Sequence, residues 1–265
     1  MMELTWQVIA LLIASGILVG IINTLAGGGT VLTISIFTAM GLPITMANGT
    51  NRIAVVLQNL TASLTFLRKK MLDVKAGLLL SIPTIIGNVV GSMLATQLDE
   101  WIFKLCLGVV LVIILLYMIF DRHKHHLPAG HSLKLNPWHY LWFFLIGLYG
   151  GYIYIGLGYV VLAITIWTLR LDIVTANILK GFVIFVSSPF SMLVFMYNGQ
   201  VDYAFGLLHG LGNIIGAFLA SHYAIGWGVK FVRWFTIAIV VVCLLDLVGW
   251  LSMADGVNWL LQAMG

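Results

Sequence analysis

Arg52 and Lys180 are the two basic residues of this sequence that stand deep inside long apolar stretches, and no acidic residue lies beside either one. A charge within a membrane-spanning helix costs about 3 kcal/mol on insertion scales, so it is normally turned toward a cavity, a partner or a ligand. Their neighbours are polar donors. Asn48-Gly49-Thr50-Asn51-Arg52 follows Pro43 at the opening of one long segment, and Asn177 with Lys180 opens another. Helix N-termini present unpaired N–H groups and a positive dipole end, which bind oxyanions without dedicated chemistry. Two cations with no fixed acid, set among Asn48, Asn51, Asn177 and the Thr50 hydroxyl, read as an anion site. The alternative is that both cations snorkel, each lying roughly 10 Å from a helix start.

Gly27-Gly28-Gly29-Thr30 and Gly156-Leu157-Gly158-Tyr159 form the second feature, each between a long and a short apolar segment. Glycine runs break helices, and irregular backbone at membrane depth persists only where it is packed in protein or lines a wet cavity. These breaks are candidate site walls with exposed amides; the alternative is a tight helix turn. Neither is a Walker motif or a dinucleotide-binding opening. His209, four residues before Asn213, and Asp246, the one acid well inside an apolar segment, are candidates for proton coupling. Asn88 and Asn213 occupy matching GNxxG frames that allow close helix approach. Ser187-Ser188-Pro189 reads as a helix break. Asp73 and Asp202 read as caps of the helices that follow them. His123, His125, His126 and His131 sit in a polar, basic stretch and read as a solvated loop, and Cys106 and Cys243 as apolar packing residues. No metal ligand set and no cofactor motif is expected.

The surrounding elements explain why buried charge is so informative here. Of 265 residues, 61% are hydrophobic and 8% charged, against about 25% charged in soluble domains. The chain is therefore an integral membrane protein, with nine Trp, nine Tyr and 14 Phe available for interfacial belts. Its net charge of +4 needs no nucleic acid, because positive loops orient membrane proteins. Apolar segments run over about 6–26, 30–40, 44–67, 74–95 and 102–120, then, after a polar stretch, over 138–154, 159–169, 173–197, 203–223 and 230–250. The two sets align at one constant offset: Gly27 with Gly156, Gly29 with Gly158, Leu42 with Leu171, Ala47-Asn48 with Ala176-Asn177, and Asp73 with Asp202. After a short gap Gly87-Asn88 through Gly91 matches Gly212-Asn213 through Gly216. Ordered coincidence of Gly, Asn and Asp marks a duplication.

Positive charge decides how the halves are oriented. If the short second segment crosses, ten basic residues from Arg68 to Arg233 lie on the cytoplasmic side and only Lys104 lies outside. If it merely re-enters, the bias weakens. The expected fold is thus an all-α polytopic membrane protein of two inverted five-segment repeats, each with one short or broken helix. Repeat 1 covers 1–120, a cytoplasmic basic and His-rich linker 121–137, and repeat 2 138–265, with both termini outside.

The Gly20 to Lys70 stretch, with its glycine break, Gly41-Leu42-Pro43 and the Ala47-Asn48-Gly49-Thr50 opening, resembles the TauE/SafE sulfite exporter family, as do Gly87 to Ala95 and the two-repeat layout. The middle glycine of the second break is replaced by Leu157. The resemblance implies a multi-pass permease of the bacterial inner membrane for small anions such as sulfite, thiosulfate or organosulfonates. With the residue reading it gives a secondary transporter working by alternating access, not an enzyme. Arg52, Lys180, Asn48, Thr50, Asn51, Asn177 and the backbone at Gly27, Gly28, Gly29, Thr30, Gly156 and Gly158 would hold the anion. Its partners would be that anion and the lipid bilayer, with a homo-oligomer open. The rivals are a passive anion channel, distinguished by larger fluxes; an intramembrane enzyme, which needs a cluster of reactive side chains at one depth; and an assembly subunit, which gives no reason to bury charge. A reporter active only outside the cytoplasm is expected to work when fused after Gly265 and to fail when inserted at His126. The reverse pattern contradicts this topology.

Overall fold

The computed structural model describes residues 4–25, 27–97, 135–223 and 248–263, with scattered positions between 101 and 116 and between 237 and 245. Nine helices are defined among them: α1 Trp6–Leu25, α2 Thr30–Ala39, α3 Ile44–Arg68, α4 Val74–Thr96, α5 Pro137–Tyr152, α6 Leu157–Leu169, α7 Ile173–Tyr197, α8 Tyr203–Tyr223 and α9 Met253–Ala263. No strand occurs among the described residues. The helices follow the apolar segments read from the sequence. The described positions of 101–116 and 237–245 are also helical, whereas most of the 121–137 linker, its four histidines, Cys106 and Cys243 lie outside the described residues. The short α9 is an addition the hydropathy pattern does not announce. It is amphipathic rather than apolar, and it seats Val257 in the cluster of Val8, Leu12, Phe37 and Met40.

Among the described residues four helices, α1, α4, α7 and α8, are long and apolar enough to cross a membrane. α3 is 25 residues long but carries Asn48, Thr50, Asn51, Arg52, Gln58, Asn59, Ser63 and Thr65, all buried. It is shielded by protein, while α4 and α8 present Leu78, Ile82, Ile86, Val90, Leu207, Leu211, Ile215 and Phe218 outward. α2 and α6, of 10 and 13 residues, are half-length.

Local chemistry sets the helix ends. Asp73 caps α4 by accepting from Ala76 N at 3.0 Å, and Asp202 caps α8 by accepting from Phe205 N at 2.9 Å. Asp172 accepts from Val174 N and Thr175 N. Partial burial alone would raise its carboxyl, but those hydrogen bonds outweigh it and hold the group below its ordinary range. α5 opens with Pro137 inside a reciprocal capping box between Asn136 and His139. Gly41, at φ 93, turns the chain out of α2 so that Leu42 N reaches Phe37 O at 3.0 Å.

Two glycine clasps bind the halves of the chain together. In α1 and α8, a Cβ added at Gly16 would sit 2.3 Å from His209 O, and one at Gly216 2.1 Å from Ile17 O. In α4 and α5, a Cβ at Gly87 would sit 2.2 Å from Phe144 O, and one at Gly147 2.2 Å from Thr84 O. Backbones this close can only be glycine, and they maximise dispersion contact where lipid offers no hydrophobic drive. The GNxxG frames therefore do give close approach, but Asn213 Nδ2 turns back to His209 O on its own helix at 3.0 Å.

The contacts also give directions. Gly16 meets Gly212 and Gly20 meets Asn213 and Ala217, so α1 and α8 are parallel; α4 and α5 pair likewise. Gly206 meets Thr50 and Ile53, while Gly210 meets Ala54 and Leu57, which makes α3 parallel to α8. Gly77 packs on Phe182 and Thr96 O accepts from Gln200 Nε2, making α4 parallel to α7. Gly49 lies against Phe195 while Gly181 faces Asn59, so α3 and α7 are antiparallel. Helices α1, α3 and α8 run one way; α4, α5 and α7 run the other.

Gly87→Ala is expected to lower unfolding stability by about 1–3 kcal/mol through overpacking of the α4–α5 clasp. Gly256→Ala, where nothing lies within 4 Å, is the control and should be neutral or slightly stabilising. Detergent-solubilised unfolding curves decide, and equal effects of the two changes contradict the clasp.

Candidate functional site

α1 and α5 both stop inside the protein, where their last carbonyls have no water to bond. Each end is met by the opening turns of a long helix from the other half of the chain. Arg52 of α3 donates from Nη1 to Gly150 O at 2.7 Å and from Nη2 to Gly151 O at 2.9 Å. Asn48, one turn earlier, donates to Tyr152 O at 3.1 Å and accepts from Arg52 Nη2 at 3.4 Å. On α7, Lys180 donates to Asn23 O at 3.2 Å and to Asn177 Oδ1 at 2.5 Å, while Asn177 Nδ2 donates to Thr24 O at 2.7 Å. Both cations therefore sit at the negative end of a helix dipole. The acceptors named are carbonyls and amides rather than carboxylates.

The matched positions Asn48 and Asn177 do the same work, but the cations differ. The Arg52 guanidinium is fully buried, and it also lies 4.6 Å from the Tyr154 ring centroid and 5.2 Å from that of Phe195. Its two Nη groups are bonded to carbonyls and two rings lie beside it, while Nε has no hydrogen-bond partner. Lys180 has two hydrogen bonds for three N–H donors, and it lines a cavity.

That cavity is about 10 Å³, room for about one water. Its walls are Asn23, Gly27, Thr30, Gln58, Asn59, Tyr154, Gly158, Lys180 and Ile184. The two glycine breaks cross at this place: a Cβ added to Gly27 would lie 2.4 Å from Gly158 Cα, so backbone meets backbone. Gly27 has φ 93 and Gly156 φ 68, the left-handed region that a side chain makes costly. Asn23 fastens the first break, accepting from Gly29 N at 2.7 Å and donating to Gln58 Oε1 at 3.2 Å. Tyr149, through its hydroxyl, fastens the second at Ile155 O.

The structure thus brings Lys180, Gly27, Thr30 and Gly158 together around one cavity, with Gly28, Gly29 and Gly156 buried in the same breaks. It sets Arg52 and Asn48 behind Tyr154, on the end of α5. Asn177 holds Lys180 and Thr24 instead of lining the cavity. Thr50 accepts from Asp202 N at 2.9 Å at the turn between α7 and α8. Asn51 is buried, with Nδ2 lacking a partner. His209 joins three helices, with Nδ1 3.1 Å from Leu12 O and Nε2 3.0 Å from Thr33 Oγ1. Asp246 lies outside the described residues. Among the described residues no three His, Cys, Asp or Glu side chains group as a metal site.

Asn23, Gln58, Asn59, Tyr154 and Ile184 also line the cavity, and the sequence reading does not single them out. An amide just before the glycine run, at Asn23, and adjacent amides in mid-span, at Gln58-Asn59, are the signals that point to them.

A family model described as sulfite exporter TauE/SafE matches residues 12–247. The "Probable membrane transporter protein ORF9" of Sinorhizobium sp is 28% identical over 240 residues, covering 88% of this chain and 89% of the relative. A "Probable membrane transporter protein" of Haemophilus influenzae is 27% identical over 239 residues, covering 88% and 91%. "Probable membrane transporter protein YfcA" of Escherichia coli is 24% identical over 227 residues, covering 82% and 80%. No solved structure matches the chain.

Arg52→Gln removes three charge-assisted bonds and leaves the Gly150 and Gly151 carbonyls buried without theirs, so it is expected to destabilise the fold by about 3 kcal/mol. Arg52→Lys should recover only part of that, because an ammonium lacks the fork. An unfolding midpoint in Arg52→Gln equal to that of the unsubstituted protein contradicts the capping role.

Proposed function

We propose that this chain, which belongs to the sulfite exporter TauE/SafE family, is a secondary permease that binds a small sulfur-containing oxyanion at Lys180 and exposes it alternately to the two sides of the bacterial inner membrane. The observation that carries the reading is a buried ammonium with an uncommitted N–H on a cavity where both helix breaks cross. Sulfite, thiosulfate or an organosulfonate presents oxygens that this ammonium and the Asn23, Gln58 and Asn59 amides can engage. An anion larger than water enters only when the breaks separate, which couples binding to motion.

Inverted repeats are part of the proposal, with repeat 1 at 1–120, the linker at 121–137 and repeat 2 at 138–265. Supporting them, the sequence-matched pairs α1 and α5, α3 and α7, and α4 and α8 run in opposite directions, and Asn48 and Asn177 cap equivalent ends. Such repeats can exchange conformations to give alternating access. Arg52 then serves as the anchor of one half and Lys180 as the ligand cation of the other. His209, bonded across α1, α2 and α8, is the group in this reading through which a proton could be coupled.

The test is radiolabelled sulfite counterflow in proteoliposomes holding the full chain. Lys180→Gln is expected to reduce exchange at least about tenfold, the scale of one charge-assisted contact, while keeping a cooperative unfolding transition. Undiminished exchange in that variant contradicts the assignment, and sulfite-dependent single-channel currents would replace the permease with a channel.

A further inference from the structure

The proposed site is asymmetric in charge, and the asymmetry passes through one side chain. Among the described residues lining the cavity, Lys180 is the only charged one, and the amides of Asn23, Gln58 and Asn59 are neutral. A singly charged anion leaves such a pocket neutral; a doubly charged one leaves a net negative charge buried without a partner. A second cation, Arg52, keeps Nε without a hydrogen-bond partner. Tyr154 borders both the cavity and that guanidinium. It forms a wall of the cavity, and its ring centroid lies 4.6 Å from the Arg52 guanidinium carbon.

The backbone holds that ring in place. Tyr154 is buried and sits at φ 66 in the break between α5 and α6, a conformation sustained only where surrounding contacts impose it. Those contacts are present on both sides: Asn48 bonds the preceding carbonyl of α5 at Tyr152, and Tyr149 bonds Ile155 O. At the sequence-matched position the first half of the chain has Leu25, with no aromatic ring.

Resting on the anion site proposed above, we infer that Tyr154 sets its charge selectivity: the ring partitions Lys180 from Arg52 and restricts the site to singly charged anions, which among those named above keeps hydrogensulfite and the organosulfonates and turns away the doubly charged thiosulfate. Removing the ring joins the cavity to the second cation and admits doubly charged ones.

The test uses the purified full chain at pH 7 with two tetrahedral sulfur anions of similar shape, methanesulfonate with one charge and sulfate with two. Calorimetric titration at constant ionic strength gives both affinities. The unsubstituted protein is expected to bind methanesulfonate at least about tenfold more tightly than sulfate. Tyr154→Phe, which keeps the ring, should preserve that ratio. Tyr154→Ala should shrink it to within about threefold by gaining sulfate affinity, and Tyr154→Leu, which places the Leu25 residue type there, should move it in the same direction if the alanine variant does not fold. Equal affinities in the unsubstituted protein overturn the inference, as does an unchanged ratio in the ring-less variants. Binding of neither anion by the unsubstituted protein overturns the anion site itself, whereas binding with the wrong ratio overturns only the role of Tyr154.

Discussion

A helix that ends inside protein must find donors for its last carbonyls, and among the described residues α1 and α5 end that way. The solution at α1 and at α5 is the same in kind: an asparagine and a cation from the opening turns of the opposite half reach across and bond them. Much else follows from that constraint. The cations are stable at depth because carbonyl dipoles face them. The long polar helix α3 must be sheathed by its neighbours, and the glycine clasps bring those neighbours to backbone distance. The breaks that terminate α1 and α5 are carried to the centre, where Gly27 and Gly158 touch.

Equivalent caps do not make equivalent cations. Arg52 spends its fork on Gly150 and Gly151 and is enclosed by Tyr154 and Phe195, so it acts as a joint between α3 and α5. Lys180 holds its helix end through fewer bonds and borders the cavity. Sequence-matched helices thus carry two buried cations, and one of them lies against an aromatic residue of the second break.

Much of this was legible in the sequence because it depends on residue type. Charge in an apolar run exposes Arg52 and Lys180, ordered coincidences expose the matched Asn48 and Asn177, and glycine runs expose the breaks. What was not legible depends on partners that have no side-chain identity. The acceptors of both cations are backbone carbonyls, which any residue supplies, so the capping of α5 by Arg52 leaves no motif. The cavity wall depends on inter-helix register, which places Gln58 and Asn59 opposite Asn23 and Tyr154 beside Arg52. The expectation of two cations on one anion rests on their matched positions, which give no sign of the Tyr154 ring beside Arg52. α9 escaped notice because a short amphipathic helix carries too little apolar sequence to stand out as a span.

In the function proposed above, Lys180 and not Arg52 receives the ligand, while Arg52 stays on the end of α5. An experimental structure of the protein with selenite, a sulfite analogue whose selenium scatters anomalously, tests it most directly. A selenium peak is expected in the cavity with an oxygen within hydrogen-bond reach of Lys180 Nζ, and Arg52 still bonded to the Gly150 and Gly151 carbonyls. A peak on Arg52 with those carbonyl bonds broken, or one remote from both residues, would contradict it.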